Sequence, residues 1–205
     1  MGEISLQESI YAFDLDGTIT RKETLPVLAT ALGVDAEIAL LTRLTMEGKL
    51  DFQQSFKLRY CVLRNLPIGK IHDIMEEIPL DSAIEEFIKE NRDACAIVTG
   101  NLDSWIEPIV RKLGCRCFSS CEIHRPEAFV PDICFVDKGE AIRELRIDAK
   151  RVVAVGEGAN DIPMLAEADI AIGYGGIHKP ADEVISLADY VAQDGEELCR
   201  MLNHL

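Results

Sequence analysis

The sequence predicts an α/β fold: a doubly wound, mostly parallel sheet with a small all-helical segment inserted after the first strand. Three observations lead to this prediction. Short runs rich in Ile and Val read as strands buried on both faces, and helical patterns separate several of them. Residues 21–80 contain helical patterns without a good strand. Strands that alternate with helices are typical of βαβ units, which join parallel strands.

The predicted strands are short apolar runs, several of which end in Asp or Gly. They are 9–13, 94–98, 116–119, 151–155, 170–172 and 190–192. Apolar spacing predicts helices over 102–113, 138–146 and 163–168, and Gly114 ends the first of these. Doubly wound sheets bind ligands beyond the carboxyl ends of their strands, so the polar residues there are the candidates for chemistry.

Residues 21–80 differ in composition from the rest of the chain. The predicted helices 24–32, 35–46, 51–64 and 68–78 follow one another, with Gly33, Gly48 and Pro67 between them. Basic and acidic side chains balance in this segment, so the net charge of −15 falls on the remainder. We therefore expect an α/β catalytic core, 1–20 and 81–205, and a helical cap, 21–80.

Composition and charge exclude several classes of protein. With 205 residues, 48% of them hydrophobic, the chain can bury a core. A net charge of −15 argues against nucleic acid and anionic membranes as partners. The sequence has no apolar run of about 18 residues and no signal-like N-terminus, so we expect a cytoplasmic protein. We also expect either a monomer or a homodimer.

Three cysteines and a histidine lie close together in the sequence, at Cys115, Cys117, Cys121 and His124. Their spacing fits no common zinc module. Seven cysteines, an odd number, in a chain without a secretory signal favour reduced thiols. We interpret the cluster as buried or incidental thiols, with a metal site as the alternative.

Two carboxylates stand where the first strand ends, in the sequence Phe-Asp14-Leu-Asp16-Gly-Thr. Alternation along a strand places residues i and i+2 on the same side, where two like charges repel. A divalent metal with oxygen ligands would relieve this repulsion. The alternative is a solvated turn, because Asp-Gly is common in turns.

The next two strand ends carry groups that suit an anion. Thr99, Gly100 and Asn101 follow a strand and precede a helix, where backbone N–H groups can hold a phosphate. The alternative is an ordinary strand-to-helix turn. Lys138 opens a helix, where the dipole disfavours a cation, and this favours an anion shared between the lysine and the helix end.

The fourth strand end adds carboxylates. Glu157 and Asp161 lie in Gly-Glu-Gly-Ala-Asn-Asp, after a very apolar strand, and would join Asp14 and Asp16 in one acidic cluster. Such a cluster is costly without a cation. Mg²⁺ bound by carboxylates and a substrate phosphate would remove that cost.

The order DLDGT, VTGN, DKG and GEGANDIPML resembles the motifs of the haloacid dehalogenase superfamily of phosphatases. A helical insertion after the first motif is similar to the type 1 cap of that superfamily, and residues 46–67 resemble the cap of phosphoserine phosphatases. The resemblance implies a haloacid dehalogenase-like Rossmannoid core with Mg²⁺ as cofactor. It also implies hydrolysis of a small phosphorylated metabolite, O-phospho-L-serine, through an aspartyl-phosphate.

The resemblance also implies roles for individual residues. Asp14 would be the nucleophile and Asp16 the general acid and base, with Thr99 and Lys138 binding the phosphoryl oxygens. The metal ligands would be Asp14, Asp16 through its backbone carbonyl, and Glu157, with Asp161 supporting. The substrate-binding residues would be Glu23, Met46, Phe52, Arg59, Thr99, Gly100, Asn101 and Asn160.

The predicted cap offers its own argument for Arg59. Phe52, Phe56, Arg59 and Leu63 fall at i, i+4, i+7 and i+11, which is one helical stripe. A guanidinium in an apolar stripe needs an anion, unless it reaches past the edge of the stripe to solvent. The resemblance implies that Arg59 binds the carboxylate of the substrate. Met46 and Phe52 would line the pocket, with plain cap core as the alternative.

Glu23 has two interpretations. Thr20 and Glu23 have the spacing of a capping box, with Glu at the third helical position. The resemblance instead makes Glu23 the partner of the substrate ammonium group. The sequence leaves both interpretations open.

The chain departs from the family pattern at three places. Glu157 stands where Asp is usual, Asn101 stands where phosphoserine phosphatases usually have glycine, and 118–138 is short for the usual hairpin flap. These departures bear on the substrate more than on the reaction class. Two alternatives follow: a phosphatase or phosphotransferase for another small phosphomonoester, or a catalytically weak binding or regulatory homologue.

Overall fold

The computed structural model describes residues 7–46 and 49–205, and for Met46 the backbone alone. The strands are β1 Ile10–Phe13, β2 Cys95–Leu102, β3 Arg116–Ile123, β4 Asp132–Cys134, β5 Val152–Gly156, β6 Ile170–Tyr174 and β7 Tyr190–Ala192. Within the described residues they form one sheet in the order β4-β3-β2-β1-β5-β6-β7. Neighbours are parallel except β3 and β4. The predicted fold class is confirmed.

The helices account for most of the rest of the described chain. They are α1 Thr24–Leu32, α2 Asp35–Met46, α3 Phe52–Leu63, α4 Ile68–Glu77, α5 Ser82–Glu90, α6 Asp103–Leu113, α7 Lys138–Leu145, α8 Ile162–Glu167, α9 Asp182–Leu187 and α10 Gly195–Leu202. Helices α1 to α4 follow β1 in series, close to the predicted bounds. Strand β4 and helices α5, α9 and α10 have no counterpart among the sequence predictions.

Apolar side chains cover both faces of the sheet, as its continuous apolar strands require. Phe13 of β1 points into a cluster that includes Phe87 of α5 and Ile106 of α6. Its neighbour Ala12 points the other way, into a cluster that includes Ile142 of α7. The sheet is therefore the middle of three layers, with helices packed on each side.

The helical segment α1–α4 leaves and rejoins the sheet layer at adjacent points. Thr20 and Leu80 form an isolated antiparallel bridge. On either side of it, Arg21 N–H donates to Pro79 O and Asp81 N–H donates to Ile19 O, both at 2.8 Å. The two chain passages at the root of this segment are thus hydrogen-bonded to each other.

The segment 118–138 forms a hairpin that contacts the helical segment. The sequence analysis noted that this segment is short for the usual hairpin flap. β3 and β4 pair antiparallel, with Cys121 opposite Cys134. Beyond β4, the ring of Phe135 lies 5.6 Å from that of Phe56 on α3, edge to face. Lys57 of α3 pairs with Asp132 at 2.8 Å. The hairpin therefore supports the helix that carries Arg59.

None of the helices in the described parts of the chain combines the length and the apolar character needed to cross a bilayer.

Candidate active site

The carboxyl ends of β1, β2 and β5 meet beneath α1 and α3 around a cavity of about 150 Å³. The cavity is lined by Asp14, Asp16, Glu23, Leu25, Phe52, Phe56, Arg59, Thr99, Gly100, Asn101, Glu157 and Asn160. The structure thus brings together ten of the residues that the sequence analysis selects. Two more, Lys138 and Asp161, are buried beside Asp14. The side chain of Met46 lies outside the described residues.

Lys138 ties two of the carboxylates together. Its Nζ lies 2.5 Å from Oδ1 of Asp14 and 2.6 Å from Oδ1 of Asp161, and all three side chains are buried. Burial alone lowers the pKa of Lys138, but Asp14 and Asp161 raise it by more, so the amine stays protonated. The other oxygen of Asp161 accepts from the N–H groups of Glu157 and Gly158, both at 2.9 Å.

Burial raises the pKa of several carboxyl groups of the site, Asp14 and Glu157 among them, because it disfavours their charged forms. Burial, and then the charge of Asp161, raises the pKa of Asp14, against the opposing effect of Lys138. Burial, with Glu23, Asp161 and Asp16 as further causes, raises the pKa of Glu157 to about 8. Lys138 therefore does not fully offset the cost of charging these carboxyl groups.

Gly17 lets Glu157 reach the first motif. Gly17 has φ of +80°, a left-handed conformation that favours glycine. A Cβ at this position would overlap the carboxyl group of Glu157. The Glu157 carboxylate therefore packs against the loop that carries Asp14 and Asp16.

Asp16 is held from two directions. Its Oδ1 accepts from the backbone N–H of Thr24 at 2.8 Å, and its Oδ2 accepts from Nδ2 of Asn101 at 3.2 Å. Thr24 is the first residue of α1, so Asp16 satisfies a free N–H group at the start of that helix. The first motif and the first inserted helix are joined through this carboxylate.

The capping-box interpretation of Glu23 is wrong. α1 begins at Thr24, so Glu23 itself occupies the N-cap position and makes no capping hydrogen bond with its side chain. Thr20 instead donates through Oγ1 to the Leu15 carbonyl at 3.1 Å. The helix starts at Thr24, as its apolar spacing predicts and later than the capping box would place it, and Asp16 accepts from its first N–H group.

Glu23 and Arg59 face the same cavity. Burial and Asp16 raise the pKa of Glu23 to about 7, while Arg59 opposes the rise. Arg59 donates through Nη2 to Ser55 at 2.9 Å. Its Nε is buried without a hydrogen-bond partner among the described residues. Arg59 lies on the apolar stripe of α3, and its Nε–H group therefore has no hydrogen-bond acceptor beside the cavity in the described part of the chain.

The second motif lies within the end of β2 and not after it. The prediction ended this strand at residue 98, but it runs to Leu102, with a shift in register between Thr99 and Leu102. The hydroxyl of Thr99 accepts from the N–H of Asn101 at 3.2 Å. The irregular strand end turns Gly100 and Asn101 toward the cavity.

The donor set fits a hard divalent cation, although it is not arranged as a complete metal centre. In the parts of the chain that the structure describes, no three His, Cys, Asp or Glu side chains converge on one point. The available donors are carboxylate oxygens, which Mg²⁺ prefers. Oε2 of Glu157 is buried with no partner in the described chain. An unpaired buried carboxylate oxygen among other carboxylates is a position that a cation would stabilise.

The cysteine and histidine cluster is not part of this site. Cys115 and Cys117 are half-buried in and beside β3, and burial raises the pKa of their thiols, to about 11 for Cys115. His124 is exposed at the hairpin and lies 3.4 Å from Glu122. All seven cysteines are free thiols.

Sequence reasoning missed three residues of the site. Leu25 and Phe56 line the cavity, and Thr24 binds both Asp16 and Asn101. The stripe that identified Arg59 already contains Phe56, so this residue had a signal. Thr24 had none, because its role depends on where α1 begins.

Comparison with known proteins shows the family to which the chain belongs. A family model described as haloacid dehalogenase-like hydrolase matches residues 9–169. The chain belongs to the haloacid dehalogenase-like hydrolase family. It is 31% identical over 185 residues to the phosphoserine phosphatase of Methanocaldococcus jannaschii, covering 82% of this chain and 86% of that protein.

Two solved structures are similar over almost their full length. One is a substrate-bound phosphoserine phosphatase complex, with a TM-score of 0.77 and 30% identity, covering 97% of this chain and 99% of that one. The other is a phospho-aspartyl intermediate analogue of phosphoserine phosphatase, with a TM-score of 0.75, 30% identity and the same coverage.

Proposed function

We propose that the protein is a phosphatase that hydrolyses the phosphate ester of O-phospho-L-serine through an aspartyl-phosphate on Asp14. One observation carries this proposal: a single cavity is lined by Asp14 at the end of β1 and by both Glu23 and Arg59 from the helical segment. These groups complement the phosphate, ammonium and carboxylate of a phosphorylated amino acid. The names of the relatives support the same substrate.

Asp14 is the nucleophile in this proposal. Its carboxylate oxygen attacks phosphorus, a P–O bond to the enzyme forms, and the bond to the serine oxygen breaks. Lys138, which stays protonated at 2.5 Å from Asp14, holds the nucleophile in place and offsets charge on the phosphoryl oxygens. The hydroxyl of Thr99 and the N–H of Gly100 bind the same oxygens.

Asp16 transfers the protons. In the first half-reaction its carboxyl group protonates the departing serine oxygen, and in the second it takes a proton from the attacking water. Hydrolysis of the aspartyl-phosphate then releases phosphate and restores the Asp14 carboxylate.

Asp14, the carbonyl of Asp16 and Glu157 would hold Mg²⁺, with Asp161 supporting. The ion would supply positive charge against the phosphoryl group and the carboxylates around it. The unpaired Glu157 oxygen supports this assignment.

The amino-acid end of the substrate lies between α1 and α3. Arg59 donates its unused Nε to the substrate carboxylate, and Glu23 accepts from the ammonium group. Phe52 and Asn160 line the same cavity, and we keep Met46 as a further candidate for contact with the substrate. Residues 21–80 act as the cap that excludes water from the reaction, and the paired backbone at their root supports the boundary.

The remaining assignments are proposals of the same kind. They are a role in serine biosynthesis, a cytoplasmic location, no nucleic-acid or membrane partner, and a monomer or homodimer. Seven free thiols support a reducing compartment.

The test is phosphate release from O-phospho-L-serine and a panel of small phosphomonoesters, measured with Mg²⁺ and with EDTA. We expect a strong, Mg²⁺-dependent preference for phosphoserine. Activity on other esters alone would keep the chemistry and reject the substrate. No release from any ester by the folded protein would reject the enzyme and favour a binding homologue, with Glu157 as the first suspect.

A further inference from the structure

We propose that Asn101 and Thr24 are positioning residues that together fix the carboxylate of Asp16. This inference rests on the proposed function, in which Asp16 is the general acid and base. It gives Asn101, which the sequence analysis assigns to the substrate, a different principal task.

The side-chain amide of Asn101 is almost fully used inside the protein. Its Nδ2 donates to Oδ2 of Asp16 at 3.2 Å and to Oγ1 of Thr24 at 2.6 Å. Its Oδ1 accepts from the N–H of Leu102 at 2.9 Å. Since a backbone N–H must face the oxygen of the amide, this last bond turns the NH₂ group toward Asp16. Asn101 is 3% exposed, so losing any of these partners is costly.

Thr24 closes the arrangement from the other side. Its hydroxyl is fully buried and accepts from Asn101, while its backbone N–H donates to the opposite oxygen of Asp16. The two residues therefore grip both carboxylate oxygens. They come from the end of β2 and the start of α1, so two separate segments fix the side chain of a third.

Asp16 needs such support because its neighbours repel it. Asp16, Glu23 and Glu157 line the same cavity, where like charges disfavour one another. The side chain is only half-buried, and repulsion would turn an unsupported carboxylate out toward solvent. A general acid displaced by about 1 Å loses on the order of 100-fold in rate.

The experiment separates the two half-reactions with 4-nitrophenyl phosphate. Its leaving group departs without a proton, so the first turnover needs Asp14 but not Asp16. Hydrolysis of the aspartyl-phosphate still needs Asp16 as a base. With enzyme in excess over the ester, nitrophenolate release gives the rate of the first turnover, called the burst rate below, and steady-state release reports hydrolysis where that step is the slower one.

The variants are Asn101→Ala, Thr24→Val and Thr24→Ser, with Asn65→Ala and Thr30→Val as matched controls on exposed positions. For Asn101→Ala we expect a burst rate within about 3-fold of the wild type and a steady state about 10- to 100-fold slower. We expect Thr24→Val to lower the steady-state rate as well, because it removes the hydroxyl that accepts the hydrogen bond from Asn101. Thr24→Ser keeps the hydroxyl and restores the rate to within about 3-fold.

Two results would overturn the proposal. One is an equal loss of burst and steady-state rates in folded variants, which indicates a general structural role. The other is a raised KM for phosphoserine with an unchanged kcat, which indicates contact with the substrate. A wild-type enzyme that releases no phosphate from any ester rejects the proposed function itself, so the two failures are distinguishable.

Discussion

Lys138 shows how a single residue organises the site. Buried against Asp14 and Asp161, it is a cation that desolvation alone would disfavour, and the two carboxylates keep it charged. The sequence indicated Lys138 as a lysine at an unfavourable helix start, and the resemblance made it a ligand of the phosphoryl oxygens, but neither revealed its two partners. Its two partners are 124 and 23 residues away, so the pairing depends on the folded sheet.

Replacing Asp14 tests the nucleophile. We expect Asp14→Asn to lower kcat for phosphoserine at least about 1,000-fold, because an amide oxygen is a poor nucleophile. Lys138 keeps Asp161 as a partner, so the far-UV circular dichroism spectrum should match the wild type. Turnover near the wild-type rate in a folded variant would rule out Asp14.

Glu157 makes the stability of the metal-free protein depend on pH. The pKa of its carboxyl group is about 8 in the folded protein, against an ordinary value of 4.5. Between these values the folded state binds more protons than the unfolded state, so the free energy of unfolding falls as pH rises. In EDTA, we expect the melting temperature to decrease between these two pH values.

The variant Glu157→Gln isolates this effect. It should melt at a higher temperature than the wild type at the upper end of that range, and depend less steeply on pH. Glu23, with a pKa of about 7, contributes a slope of the same sign that remains in the variant. Identical slopes in the two proteins would mean that Glu157 is not the group responsible.

At the scale of elements, α3 is the clearest success of sequence reasoning. Its stripe is readable from spacing alone, and the structure buries Phe56 while Phe52 and Arg59 border the cavity. The hairpin of β3 and β4 was not predicted, because β4 has only three residues and pairs at the edge of the sheet. Short edge strands carry little apolar pattern.

The variant Arg59→Ala tests whether the side of α3 that lines the cavity binds the carboxylate of the substrate. We expect kcat/KM for phosphoserine to fall about 100-fold, because a buried charge partner of the substrate carboxylate is lost. The loss on 4-nitrophenyl phosphate, which has no carboxylate, should stay within about 3-fold.

The control for this prediction is Leu58→Ala, a neighbouring position on the exposed side of the helix. We expect Leu58→Ala to leave kcat/KM unchanged for both substrates. Equal losses on both substrates in Arg59→Ala would show that the arginine only stabilises the helix.

At the scale of the whole molecule, the fold could be predicted because its signals are repeated. Strand-end motifs recur at several strands, and alternating strands and helices predict a mostly parallel sheet, although the strand order itself was not predicted. What could not be predicted is how side chains from distant segments meet, as Asp16, Thr24 and Asn101 do. Those contacts depend on helix starts and strand ends, whose exact residues no local pattern defines.

The net charge of −15 also acts on the whole molecule. Repulsion among excess carboxylates opposes the compact state, and salt screens it over about 8 to 10 Å. We expect the melting temperature to rise by a few degrees between low and moderate potassium chloride at fixed pH. Choline chloride, which does not bind carboxylates specifically, should give the same rise. A lower melting temperature in both salts would show that the attraction within surface ion pairs outweighs the repulsion among excess carboxylates.

The backbone bridge at Thr20 and Leu80 has a consequence for how such a protein can change over evolution. Because the chain departs and returns at neighbouring points, the stretch between them can be lengthened, shortened or exchanged without altering the register of any strand. If residues 21–80 select the substrate, as proposed above, one sheet could keep its chemistry while exchange of that segment changes the substrate.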